Sequence, residues 1–121
     1  MRTLLRFSVP ALVVLTGVTG AAARVYLTQA EALGLAFPAP HEVDRQTLYL
    51  DDGQVERTAA LAGGPVDSRV VSYYIGRKDG RIAGYAYFDT HLVRTLPETV
   101  MIVVDPDGTI RRIDILSFEE P

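Results

Sequence analysis

The chain has 121 residues, of which 48% are hydrophobic and 22% charged, and it contains no cysteine. This length and composition predict one compact domain with an apolar core. The lack of cysteine excludes disulfides, thiolate chemistry, iron–sulfur clusters and the common structural zinc sites. The net charge of -3 becomes about -5 without Arg2 and Arg6. No basic face for phosphate is expected, so no nucleic-acid partner is predicted.

Residues 1–23 have the order of regions found in an export signal. Arg2 and Arg6 precede an apolar run, and Gly20–Ala23 supplies small side chains suited to a signal peptidase. The segment from Phe7 to Ala23 has 17 residues, which is the minimum length for the alternative, a retained membrane anchor. Both alternatives predict an exported protein, either periplasmic or anchored to the outer face of the cytoplasmic membrane.

Residues 24–121 predict one α+β domain that begins with a helix. Thr28–Glu31 forms a capping-box pattern, which predicts a helix from Gln29 to about Leu35. The helical spacing places an apolar stripe at Ala32, Leu33, Ala36 and Phe37. A short strand over Gln46–Leu50 and a modest second helix over Gly53–Leu61 are predicted to follow.

The next segments predict an antiparallel meander of four strands. These cover Arg69–Gly76, Arg81–Asp89, Thr99–Val104 and Thr109–Phe118. Asp79-Gly80 and Asp105-Pro106-Asp107-Gly108 predict tight turns between neighbouring strands. The apolar run over Thr99–Val104 is typical of a central strand buried on both faces. The fold class is therefore α+β, a β-sheet meander with one or two short packing helices after an N-terminal signal or anchor helix.

The common catalytic signatures are missing from the sequence. It contains neither a phosphate-binding G-x-x-x-x-G-K loop nor a G-x-G-x-x-G motif, and no serine lies in a nucleophile elbow. His41 and His91 are the only histidines, and without cysteines they predict no metal site. A stand-alone catalyst is not indicated.

Asp89–Thr99 is the segment with the most concentrated polar groups, and we predict it to be a loop between two strands. Arg94 offers a charged fork, and Thr95 and Glu98 add groups suited to orient a phosphate or a ring with several hydrogen-bonding atoms. The alternative is an ordinary solvated connection in which Pro97 shapes the entry to a strand.

Aromatic residues are concentrated on the neighbouring predicted strands, at Tyr73, Tyr74, Tyr85, Tyr87 and Phe88. Their spacing suits stacking on a planar ligand, but aromatic residues in strands more often form core and cross-strand pairs, and we favour the core interpretation. The segment from Phe118 to Pro121 is either a polar strand end or one wall of a site.

Several short motifs together resemble one family. They are Tyr26-Leu27-Thr28 with Glu31-Ala32-Leu33, Phe37-Pro38, Gly84-Tyr85-Ala86, His91 to Thr99, Val103 to Gly108, and Ser117 to Pro121. Together they are similar to the FMN-binding domain of the flavin subunits of sodium-pumping NADH:quinone reductase, of Rnf-type electron-transport complexes and of related exported proteins. The resemblance covers the chain from Tyr26 to Pro121.

This resemblance implies an extracytoplasmic FMN-binding domain that takes part in electron transfer with membrane electron-transport proteins. The flavin supplies the redox chemistry, and the protein binds it, excludes solvent and sets its potential. The cofactor-binding residues it implies are His91, Arg94, Thr95, Glu98 and Glu120. Arg94 and Thr95 would hold the flavin or its phosphate, and Glu120 would lie near the isoalloxazine.

One family feature is missing from the sequence. FMN is typically joined to the threonine of a Ser-Gly-Ala-Thr motif by a flavin transferase, and no such motif occurs in the 121 residues. In the family this motif follows the region that Glu120-Pro121 resembles, so the domain 24–121 is expected to be incomplete at its C-terminus. FMN is then bound without a covalent link or is absent, and the transferase is a partner only of a longer form. The alternative function is an exported non-enzymatic binding module that has lost the flavin tether.

Overall fold

The computed structural model describes residues 23–119, which form two helices and six strands. In chain order these are β1 (Ala23–Val25), α1 (Gln29–Ala36), β2 (Glu42–Tyr49), α2 (Asp52–Ala62), β3 (Val70–Lys78), β4 (Arg81–Val93), β5 (Leu96–Val104) and β6 (Ile110–Glu119). No helix within this range is long and apolar enough to cross a membrane. The predicted leader, apart from Ala23, lies outside the described residues, as does Glu120.

The six strands form one antiparallel sheet in the order β1-β6-β5-β4-β3-β2. Strands β2 to β6 are neighbours both in sequence and in space. The predicted α+β class and antiparallel meander are therefore confirmed. The two turns predicted at Asp79-Gly80 and Asp105–Gly108 connect β3 to β4 and β5 to β6, and Asp79, Gly80 and Gly108 all have positive φ.

Strand β2 is longer than the sequence pattern predicted, since it begins at Glu42 rather than at Gln46. All eight of its residues are exposed because β2 is an edge strand, so no alternation of buried and polar residues marks its first half. All eight residues are paired with β3, and Arg77 of β3 also donates to the Asp44 carboxylate at 2.7 Å. Charged side chains on an edge strand also discourage pairing with another chain.

Both helices begin at capping boxes. The Thr28 hydroxyl accepts from the Glu31 amide at 3.2 Å, and the Glu31 carboxylate accepts from the Thr28 amide at 2.7 Å, as the sequence predicted. Asp51 and Gln54 form the same reciprocal pair at the start of α2. Gly63 ends α2 in the left-handed region with φ +70°, which glycine adopts without steric cost. Local hydrogen bonds therefore set both helix starts.

We expect Glu31→Gln to reduce the loss of stability in acid. The Thr28 amide and hydroxyl donate to the carboxylate and hold the pKa of Glu31 below its ordinary value of 4.5. A carboxylate whose pKa is lowered by folding stabilises the fold above its unfolded pKa, and this contribution is lost as pH falls through the folded pKa. Glutamine keeps the acceptor oxygen but does not titrate.

Urea denaturation at about pH 6 and about pH 3 measures this effect. The drop in unfolding free energy should be smaller for Glu31→Gln than for the natural protein. Some acid sensitivity should remain, because the Thr109 amide also holds the pKa of Asp107 below its ordinary value. Equal drops in the two proteins would show that the Glu31 contacts do not contribute.

Helix α1 covers one face of the sheet. The core cluster comprises Ala32, Phe37, Ala86, Met101, Val103 and Leu116, and the side chains packed against it are Leu27, Leu33, Ala36, Tyr74 and Phe88. The predicted apolar stripe of α1 is thus confirmed. Helix α2 has no buried residue, so α1 alone acts as a packing helix within the described part of the chain.

The ring of Phe37, directly after α1, closes this core over two glycines. Gly76 and Gly84 lie opposite each other on β3 and β4, and a Cβ on Gly76 would lie 2.2 Å from the ring. The Arg111 guanidinium lies 5.9 Å from the ring centroid, within the range of a cation–π contact. Glycine at position 76 is needed because the ring approaches the backbone closely.

The face of the sheet opposite α1 is the open face. Successive strand residues point to opposite faces, and cross-strand partners share a face. Val100 is buried on the open face, and Ile102 on the same face is only partly buried. Strand β5 has a neighbouring strand on each side, which confirms the predicted central strand over Thr99–Val104. The prediction that its open face is also buried is confirmed at Val100 but is wrong at Ile102.

Candidate functional site

The predicted loop over Asp89–Thr99 is wrong, because most of this segment is strand. Strand β4 continues to Val93 and β5 begins at Leu96, so that only Arg94 and Thr95 form the turn. The predicted strand ends at Asp89 and Thr99 therefore lie well inside the ladder. The polar residues of this segment therefore project from a paired hairpin rather than from a long loop.

Cross-strand pairing explains this correction. Thr90 lies opposite Thr99, and their hydroxyl oxygens are 2.9 Å apart, which gives the pair a hydrogen bond of its own. Pro97 suggested a break, but it is the second residue of β5 and lies opposite Leu92. At the start of a strand the missing proline N–H costs little, so the ladder continues to the turn.

Arg94 occupies an unusual backbone conformation at the tip of the hairpin. Its φ is +61°, in the left-handed region that residues other than glycine seldom adopt. Such a conformation persists where the surrounding structure enforces it, and it is concentrated at binding sites. The β4–β5 pairing encloses this turn, and the backbone conformation sets the direction of the Cα–Cβ bond of Arg94.

Two neighbouring clefts lie at this end of the sheet and share Phe118 as a wall; we call them the paired clefts. The first has a volume of about 580 Å³ and is lined by Tyr26, Glu98, Ile115 and Phe118. The second has a volume of about 560 Å³ and is lined by Val93, Arg94, Thr95, Leu96 and Phe118. Both volumes fall in the range of about 300–1,000 Å³ that is typical of small-molecule sites.

The first cleft is mostly apolar and contains one carboxylate. Glu98 lies directly opposite Phe118 in the β5–β6 ladder, which brings its carboxylate beside the aromatic ring. Its side chain is 20% exposed. Tyr26 reaches the cleft because its amide donates to the Leu116 carbonyl at 2.8 Å, which holds the chain beside β6. The cleft thus combines apolar walls with one acceptor of hydrogen bonds.

His91 lies next to the first cleft and contacts two carboxylates. Its Nδ1 is 2.9 Å from an oxygen of Asp89, and its Nε2 is 3.4 Å from an oxygen of Glu98. Asp89 and His91 are two residues apart on β4 and so share a face, while Glu98 lies across the ladder. The Nε2 of His91 therefore lies within ion-pair distance of the Glu98 carboxylate.

The structure brings four of the five predicted site residues to one end of the sheet. Arg94, Thr95 and Glu98 line the paired clefts, and His91 adjoins them through Glu98. Glu120 lies outside the described residues. Sequence reasoning missed Tyr26 and Ile115 as cleft residues, because contacts between β6 and the segment after β1 join positions about 90 residues apart in the sequence.

The aromatic residues divide between the two faces. Tyr74 and Phe88 pack at right angles with 5.6 Å between ring centroids and belong to the α1 side, as the core interpretation predicted. Tyr73, Tyr85 and Tyr87 lie together on the open face, with the Tyr73 and Tyr87 rings stacked at 5.8 Å. Burial and the two neighbouring tyrosines raise the pKa of Tyr87. None of these rings lines the paired clefts.

Within residues 23–119 no group of three or more His, Asp or Glu side chains is placed to hold a metal ion. The chain matched no family model, no curated protein and no solved structure.

Proposed function

We propose that this protein is an extracytoplasmic FMN-binding domain that takes part in electron transfer at the membrane, and that it holds FMN without a covalent bond in the paired clefts. The observation that carries the proposal is the lining of the two clefts. Arg94 and Thr95 line one cleft, Glu98 lines the other, and Phe118 is a wall of both. A phosphorylated, planar ligand needs this combination of a cationic end and an apolar end.

The second cleft suits the phosphate. Arginine presents several N–H donors in a planar fork that matches phosphate oxygens, and hydrogen bonds to charged groups are stronger than neutral ones. Thr95 adds a hydroxyl donor beside it. Because φ of Arg94 is fixed by the hairpin turn, little backbone freedom is lost when a ligand binds.

The first cleft suits the ring system. Tyr26, Ile115 and Phe118 provide apolar and aromatic surface for a flat heterocycle. The Glu98 carboxylate can accept hydrogen bonds from the ring, and His91 lies 3.4 Å from it. FMN, when bound, supplies one- or two-electron transfer, and the apolar walls would exclude water from its ring. Negative charge at Glu98 disfavours a reduced, anionic ring and would lower its potential.

A titration with FMN and with riboflavin tests this assignment, because the two ligands differ by the phosphate alone. We expect Arg94→Asn to weaken FMN binding about 10- to 100-fold, from the loss of hydrogen bonds to a charged group. Riboflavin binding should change little. Asparagine tolerates positive φ, so the turn should be retained.

Arg81→Asn, at the opposite end of β4, is the matched control and should leave both affinities unchanged. Flavin fluorescence quenching and calorimetry measure the affinities. If the natural protein binds neither ligand, the flavin proposal fails and the non-enzymatic binding module is favoured. If Arg94→Asn weakens FMN and riboflavin equally, the phosphate does not contact Arg94.

A further inference from the structure

The open face of the sheet carries a continuous apolar surface that crosses four strands. Its apolar members on β3 to β6 are Val71, Tyr73, Ile75, Tyr85, Tyr87, Val100, Ile102, Val104, Ile110, Ile113 and Ile115. Ile75 and Val100 are themselves buried, and the other nine are partly or largely exposed. Helix α1, which packs on the central strands, lies on the other face. Within residues 23–119 the isoleucines of β6 remain about half exposed, with Ile113 at 59%.

Charged groups on this face lie only at its two ends, as far as the described strands extend. Arg77 pairs with Asp44 at the end near the β3–β4 turn. Asp89, His91 and Glu98 form the cluster at the other end, beside the paired clefts. Between these ends the described part of the face has no charged side chain. An apolar centre that contains aromatic residues, with charges confined to the rim, is the composition of a protein–protein interface.

The size of the surface is at the lower end of the range for an interface. Its apolar members extend over about five residues on each of four strands about 4.8 Å apart, which is roughly 19 by 17 Å, or on the order of 300 Å² in projection. Side-chain relief increases the accessible area, so that two such faces would bury on the order of 1,000 Å² in total. Monomeric proteins seldom leave a continuous apolar patch of more than a few hundred Å² uncovered.

We infer that the open face packs against the open face of a second copy of this chain, so that two sheets form a sandwich about a two-fold axis. Identical faces meet here without burying like charges, because the centre of each is uncharged and the ion pairs stay at the rim. Sheets pack face to face at a distance of about 10 Å with their strands within about 30° of each other. Two twisted antiparallel sheets can adopt this geometry. A two-fold axis closes the assembly at two copies.

This inference does not rest on flavin binding. Ile115 belongs both to the open face and to the wall of the first cleft, while Glu98 and Phe118 lie beyond it, so a second copy would pack next to that cleft. Association is measured without FMN, and its failure would leave the flavin titration unaffected.

Sedimentation velocity of the full chain over a concentration series is the first test. The natural protein should sediment as a dimer, and Ile113→Lys should weaken association at least ~30-fold, the effect expected of a buried charge at an interface centre. Leu61→Lys makes the same kind of change in α2, at a residue 90% exposed, and should leave the dimer intact. Circular dichroism should show both variants folded.

A second measurement uses the lack of cysteine in the chain. Ile102 lies opposite Tyr87 at the centre of the face, close to the expected axis, so Ile102→Cys should give a covalent dimer with a short bis-maleimide. Leu61→Cys should not. A monomer at all concentrations overturns the inference, and so does a dimer that Ile113→Lys leaves intact, since pairing would then occur elsewhere, for instance along the edge of β2.

Discussion

Gly76→Ala is expected to lower the free energy of unfolding by about 1–3 kcal/mol, the usual cost of overpacking a core. A Cβ at this position would lie 2.2 Å from the Phe37 ring, much closer than atoms of two side chains can approach. The ring is 3% exposed and belongs to the core cluster, so it cannot move aside without opening the contact between α1 and the sheet. Urea denaturation followed by circular dichroism measures the change.

Gly34→Ala is the matched control for this substitution. Gly34 lies in the interior of α1, and a Cβ added there would have no neighbouring atom within 4 Å, so the same change meets open space. Since alanine favours a helix over glycine, Gly34→Ala should raise stability by about 0.5–1 kcal/mol. Opposite signs for the two substitutions would establish that the contact with Phe37, rather than glycine content, decides the outcome.

A double-mutant cycle locates the effect. If the Gly76 penalty arises from the ring, it should shrink when Phe37 is replaced by leucine, and the two changes should deviate from additivity by about 0.5–3 kcal/mol. Strict additivity would place the cost of Gly76→Ala in the backbone of β3 and would remove the role assigned to Phe37.

Met101→Ala is expected to destabilise the protein by about 2–5 kcal/mol, because the shortened side chain leaves a cavity in the core. Met101 is fully buried on the central strand β5 and is one of the two largest fully buried side chains among the described residues. Phe88 lies opposite it on β4, so the cavity would open beside a packed aromatic ring. Thermal and urea unfolding should both show the loss.

Met101→Leu keeps nearly the same volume and serves as the control. It should cost less than about 1.5 kcal/mol, as volume-conserving substitutions in cores usually do. If both substitutions proved harmless, the α1 face would not be the principal core, and the open face would have to contribute more of the stability than the burial pattern indicates.

The helices and turns could be predicted from the sequence because each depends on a few adjacent residues. The capping box at Thr28 and Glu31 forms through bonds between residues three apart. The turn at Asp105–Gly108 closes through a bond from the Gly108 amide to the Asp105 carbonyl at 2.9 Å. Such contacts join residues close together in the chain, so their short sequence motif is enough to predict them.

The candidate site could be predicted only in part. The polarity of residues 89–99 drew attention to Arg94, Thr95 and Glu98, but it suggested a loop where the structure has a two-residue turn between long strands. Polar residues at the end of a hairpin show the same sequence pattern whether they form a loop or paired strands with exposed faces. The pairing of Thr90 with Thr99 decides between the two, and that pairing depends on register.

The α+β class, the positions of both helices, the order of the meander strands and the apolar stripe of α1 could all be predicted from the residues alone. The extension of β2 to Glu42, the division of the tyrosines between the two faces, and the meeting of Tyr26 and Ile115 with Phe118 beside Glu98 became visible in the folded chain. The difference lies in the range of the interactions. Helix caps and turns are formed by residues that are neighbours in the chain. The length of a strand, the face on which a side chain lies and the lining of a cleft depend on distant segments, which the register of the sheet brings together.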